Sequence, residues 1–162
     1  MGKHTLKIEY DYDFVLIGIS SHEKDYRLCW ALNNLFGIDL TKTSSLEIKS
    51  KKEVTPSFFS LFNYENPDEF VEYFVIANLS ENKLFGSDEN TLFSKGARGP
   101  HSTEHGILIP EHKQMNYFFV IRGEIEEQQT EEIIKKIKEI DLVLTAVRID
   151  VAELKSKTNL VF

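Results

Sequence analysis

The chain has one cysteine, so no internal disulfide can staple it. It has no apolar run near the roughly 20 residues that a bilayer-spanning helix needs, so no membrane helix is expected. Its first residues, MGKHTLKIEYDYD, lack the apolar stretch of a secretory signal. A cytoplasmic protein without membrane contact is the expectation. A basic surplus is also missing: 19 Lys and Arg stand against 26 Asp and Glu, a formal net charge of -7. Proteins that grip nucleic acid by counterion release usually carry the opposite balance. The acidic surplus is spread over both halves, so there is no tail for a basic partner. No internal repeat is visible and no composition shift marks a linker, so residues 1–162 read as one domain. What is there is a 41% hydrophobic share, enough to build a core. Aromatics are plentiful, with 12 Phe, 6 Tyr and 1 Trp. Some must pack inside, and any exposed remainder would mark a contact surface.

Residues 14–19, FVLIGI, form a short apolar run with β-branched members and predict a buried central strand. Ser20 and Glu23 have capping-box spacing. Leu28, Ala31, Leu32 and Leu35 then recur at helical spacing up to Gly37, which predicts a helix over 22–36. Leu46 and Ile48 alternate with charge, predicting a strand over 44–50. Asn66-Pro67-Asp68 is a turn signal between two aromatic flanks, so 57–64 and 70–79 read as a hairpin. The second flank does not alternate cleanly, which predicts either a bulge or burial on both faces. Residues 80–106 hold Gly86, Gly96, Gly99, Pro100 and Gly106 and read as a long irregular loop. Strands are expected at 115–121 and 142–151, with a helix over 126–140 between them. Acids lead that helix and lysines end it, which suits its dipole. The fold class is therefore α+β: a mainly antiparallel sheet of about six strands, with two helices on one face. A parallel crossover in either strand-helix-strand unit would make the sheet mixed.

Residues 95–100, Lys-Gly-Ala-Arg-Gly-Pro, set glycines beside Lys95 and Arg98, as phosphate-cradling nests do. The Walker spacing is absent, and glycines that only turn the chain explain the pattern as well. His101, His105 and His112 lie close together, but Ser102 stands where a metalloprotease has glutamate, so exposed loop histidines are expected. Lys42, Lys49, Lys51 and Lys52 read as the guard of a strand edge rather than a phosphate patch. Cys29 sits mid-helix and reads as a small buried hydrophobe. Asp11 and Asp13 read as a solvated strand entry. Residues 109–111, Ile-Pro-Glu, stand out most. Pro110 fixes the backbone and holds the Glu111 carboxylate in a defined place, to receive a partner's cation or amide or to cap backbone.

The segments YDFVLIGIS, DYRLCWALNNLFGIDL and GILIPEHKQMNYFFVI resemble an uncharacterised bacterial family named for its Ile-Pro-Glu-x-x-Val-Asp motif. The resemblance covers nearly the whole chain. The Val-Asp place falls on Met115-Asn116, after one more intervening residue, and Asn116 carries no carboxylate. The family implies no activity, no cofactor and no catalytic residue. Three functional readings follow. The leading one is a non-enzymatic protein-interaction module, with Phe58, Phe59, Phe62, Phe85 and Phe93 as candidate surface aromatics. Another is a binder of RNA or of a phosphorylated small molecule. The third is a small acid-base enzyme pairing Glu111 with His101 or His105. The ligand or partner contacts expected are Lys95, Arg98, Pro110, Glu111, Lys113 and Asn116, with no catalytic residue, metal or cofactor. The apolar end, Leu160-Val161-Phe162, would either join the core or dock on a second copy.

Overall fold

The computed structural model describes residues 12–49, 56–81 and 106–162. Strand β1 (Phe14–Ser20) leads into helix α1 (Asp25–Phe36). Four strands come next: β2 (Thr41–Lys42), β3 (Leu46–Ile48), β4 (Ser57–Phe59) and β5 (Leu61–Asn66). They are followed by β6 (Val71–Ala77), β7 (Tyr117–Arg122), helix α2 (Glu127–Lys138) and β8 (Thr145–Ile149). The main sheet has six strands in the order β2-β5-β6-β7-β1-β8, while β3 and β4 pair in a separate two-stranded sheet. Every paired neighbour is antiparallel. The mixed sheet is therefore not formed. β1 fills the place beside β7, so the chain leaving α2 arrives one place further out and meets β1 head to tail.

Burial explains why the central strands read as apolar without alternation. On one face Ile17, Ile19, Val75, Phe119 and Ile121 pack against Leu28, Cys29 and Leu32 of α1 and Ile137 of α2. On the other, Leu16, Phe74, Ile76, Phe118 and Val120 meet Phe59, Leu108, Ile109, Leu154 and Leu160. Both helices thus cover one face, and short 3-10 segments with the C-terminal residues cover the other. Each such side chain removed from water contributes about 1.5–3 kcal/mol. β6 is buried on both faces, and its register with β5 is continuous from Leu61↔Ile76 to Asn66↔Val71, so it carries no bulge.

The first helix starts at Asp25, three residues later than its spacing predicts. The Ser20–Glu23 capping box does not form. Ser20 Oγ donates to Asn116 Oδ1 at 3.3 Å, and the Glu23 carboxylate accepts from Arg27 at 2.6 Å. Gly37 ends the helix at φ 65°, and its N–H reaches the Asn33 carbonyl. In α2 the reciprocal cap is made by Glu126 and Gln129. The predicted strand at 44–50 shrinks to β3 and leaves the main sheet, whose edge is instead the two-residue β2. The chain's end folds onto its own core. Leu160 is fully buried, and the Arg122 guanidinium lies between the Phe74 and Phe162 rings, 4.7 and 4.5 Å from their centroids. No helix among the described residues is long and apolar enough to cross a membrane.

Candidate functional site

One end of the main sheet gathers most of the polar side chains that are not simply solvated. There β1 finishes, β7 and β8 begin, and β6 runs out into Asn78. Asn78 is only 3% exposed, and its side-chain bonds all go to the 109–115 turn. Its Oδ1 accepts from Ile109 N at 2.8 Å, and its Nδ2 donates to the carbonyls of His112 and Met115. Asn78 therefore clamps the turn holding Pro110 and Glu111. The next residues form a collar: Ser80 N donates to the Gly106 carbonyl at 2.9 Å, and Gly106 N to Ser80 Oγ at 2.8 Å. Beside it lies a cleft of about 450 Å³ lined by Ser21, His22, Asn78, Lys113, Asn116 and Tyr117.

Of the predicted contacts, Lys113 and Asn116 are brought together on this cleft. Asn116 Oδ1 also accepts from Ser21 N at 2.8 Å, which fixes the β1–α1 junction. Lys95 and Arg98 lie outside the described residues, as do His101, His105, Phe85 and Phe93 and nearly all of the predicted 80–106 loop. Pro110 opens a short 3-10 helix, Pro110–His112. Glu111 points away from the cleft to the C-terminal segment. Its Oε1 accepts from Lys155 N and Ser156 N at 2.6 and 2.9 Å, and its Oε2 from Ser156 Oγ at 2.8 Å. Desolvation pushes this carboxyl up, but the Ser156 hydroxyl and the backbone N–H donors outweigh it and hold the pKa at about 2. Glu111 thus caps backbone, one of the roles its motif allows. A carboxylate so acidic, with both oxygens engaged, is a poor general base near neutrality.

A second polar group borders the same end. Asp25 Oδ2 accepts from Ser60 Oγ at 2.5 Å and lies 3.9 Å from Lys42 Nζ, which pairs with Glu81 at 2.9 Å. Lys42 guards the β2 edge, as its sequence context suggests. Burial, with Asp25 nearby, pushes the Cys29 thiol up to about 12, so it is no nucleophile. Burial also raises Tyr117, to about 12, and its hydroxyl donates to the Glu23 carbonyl at 2.6 Å. Among the described residues no three or more His, Cys, Asp or Glu side chains are placed to hold a metal.

Of the surface aromatics that the sequence suggests, three lie among the described residues. Phe59 and Phe62 are buried, and Phe58 is exposed, at 37%. Phe70, in the turn between β5 and β6, is the most exposed ring at 86%, while α1 exposes two rings side by side, Tyr26 at 57% and Trp30 at 68%. They border a groove of about 560 Å³ that also takes in Arg27, Ile140, Asp141 and Leu142. Ser21 Oγ pins the far wall by donating to the Leu142 carbonyl at 2.6 Å. Within the groove the Arg27 guanidinium is held by Glu23. The signal for this site was in the spacing. Tyr26 and Trp30 are four apart and out of phase with the Leu28–Leu32 stripe, so they share the opposite helix face. Comparison with known proteins finds no matching family model, no matching curated protein and no matching solved structure.

Proposed function

We propose that the protein is a non-enzymatic interaction module, and that its contact face is the Tyr26–Trp30 groove. The partner presents a lysine or arginine beside an apolar side chain. The observation that carries this reading is an indole 68% exposed on a regular helix face, beside an apolar groove wall. A ring face attracts a cation by about 0.5–2 kcal/mol. Asp141 supplies the opposite charge, and Arg27 is already neutralised by Glu23. The net charge of -7 steers basic partners inward. Trp30 is the single tryptophan, so its fluorescence reports occupancy. An array of short peptides with varied basic and apolar positions is the test. Basic-apolar peptides should shift the emission and bind, with at least tenfold loss in Trp30→Ala and in Asp141→Asn. Equal binding by Trp30→Ala, or selection of acidic peptides, would overturn the reading.

The cleft at the sheet end supports a second reading, an RNA or phosphorylated small-molecule binder. His22 and Lys113 flank it, and Asn116 adds an amide. Inorganic phosphate and a short oligoribonucleotide serve as probes in amide NMR titrations. Shifts at Lys113 and Asn116 that fade at high salt would favour it. Unmoved resonances would remove it.

A further inference from the structure

The two edges of the main sheet are finished differently. At one edge β2 is two residues long and carries Lys42, the usual means of discouraging a foreign strand. At the other, β8 presents Thr145-Ala146-Val147-Arg148-Ile149 with no lysine, proline or glycine. Its register with β1 is unbroken from Leu16↔Ile149 to Ser20↔Thr145, so no bulge twists it away. Among the described residues no strand pairs with its outer side. Its one charge, Arg148, is neutralised by the Glu127 carboxylate of α2. Leu144, just before the strand, is 61% exposed, and Val147 at its middle is 36% exposed. Such an edge is a template for another strand.

We propose that β8 pairs antiparallel with β8 of a second copy about a two-fold axis at Val147, joining two six-stranded sheets into one. The strand is suited to this partner. Ala146 belongs to the helix-covered face and Ile149 to the other, so Thr145, Val147 and Ile149 share one face and Ala146 and Arg148 share the opposite one. Pairing centred on Val147 matches all five residues. It sets Thr145 against Ile149 and Val147 against Val147, and it sets Arg148 against the small Ala146. No like charges then face each other, and each Arg148 has room to keep its Glu127 bond. Centring the axis on Arg148 would oppose two guanidinium groups, which is destabilising. The groove at Tyr26 and Trp30 takes no part, so the dimer stands or falls apart from the peptide reading.

The test is the mass of the full chain in solution, read by light scattering after size exclusion across the micromolar range. Wild type should run at twice the chain mass. Val147→Lys, at a position 36% exposed, should run at the chain mass with an unchanged circular dichroism spectrum. Trp30→Ala should remain dimeric. Val147→Cys gives a positional readout. Facing Cα atoms in an antiparallel pair are about 4.5–5.5 Å apart, within disulfide reach. Cys29 is buried and unreactive, so only the introduced thiol responds. Copper phenanthroline should link most of that variant into dimers and leave an Asn34→Cys control as monomer. A monomeric wild type would overturn the proposal. So would a dimer that survives Val147→Lys, or one in which Val147→Cys fails to cross-link.

Discussion

Asn78 is the residue on which the cleft most depends. It satisfies one buried N–H and two carbonyls of the 109–115 turn. Asn78→Ala strands those groups, and each buried unsatisfied group costs about 1–3 kcal/mol. The expected loss is about 2–4 kcal/mol in urea unfolding, with the Lys113 and Asn116 resonances shifted. Glu111 makes a pH-dependent contribution. Its folded pKa of about 2 lies below the ordinary value of 4.5. The contribution is therefore complete above the higher value and lost as pH falls toward the lower one. Glu111→Gln should be less stable than wild type at pH 7, and the gap should close near pH 2, as urea titrations at several pH values would show. At this scale the sequence was legible where chemistry is local. Cys29 read as a buried hydrophobe, and it is one. Asn78 was not legible, because its partners lie some thirty residues away and an asparagine after a strand looks like any turn residue.

Elements were legible where hydrophobic period decides them. The helix stripe of α1, its Gly37 stop and the apolar central strands all follow from spacing. Their starts were not. Ser20 and Glu23 have capping-box spacing, but Asn116 and Arg27 claim them from outside that pattern. β3 alternates as a strand should, yet nothing in its three residues says that it pairs with β4 rather than with the main sheet. The β5–β6 hairpin holds one further element-scale feature. Phe70, which closes the turn, has φ 55° and is 86% exposed. A side chain in this left-handed region costs about 1–2 kcal/mol, and glycine is free of that penalty. Phe70→Gly is expected to raise the melting temperature slightly, by about 0.5–1 kcal/mol of added stability after the entropy lost with glycine. A lowered melting temperature would mean that the exposed ring is packing rather than paying strain.

At the scale of the whole molecule, the C-terminal segment completes the face that the helices leave open. Leu160 is fully buried there, and Arg122 donates to the carbonyls of Leu160 and Phe162. Leu160→Ala should cost about 2–5 kcal/mol. A calorimetric scan would show this as one lowered transition, and an unchanged midpoint would mean the tail is loosely held. The α+β class and the placement of both helices on one face were legible from element order and periodicity. Strand order was not, since each apolar run is long enough to sit anywhere inside the sheet. The order has a consequence for how the protein is made. β1 is bonded on one side to β7 and on the other to β8, with Ile17 facing Phe119 and Arg148. Those partners are more than a hundred positions downstream. On the ribosome, where chains grow by about 5–20 residues per second, the first strand emerges seconds before either neighbour exists. Its apolar FVLIGI run must wait unpaired in the meantime. The sheet can close only once β8 has been made, and such long-range pairing makes folding slow. That interval is when the nascent chain most needs a chaperone.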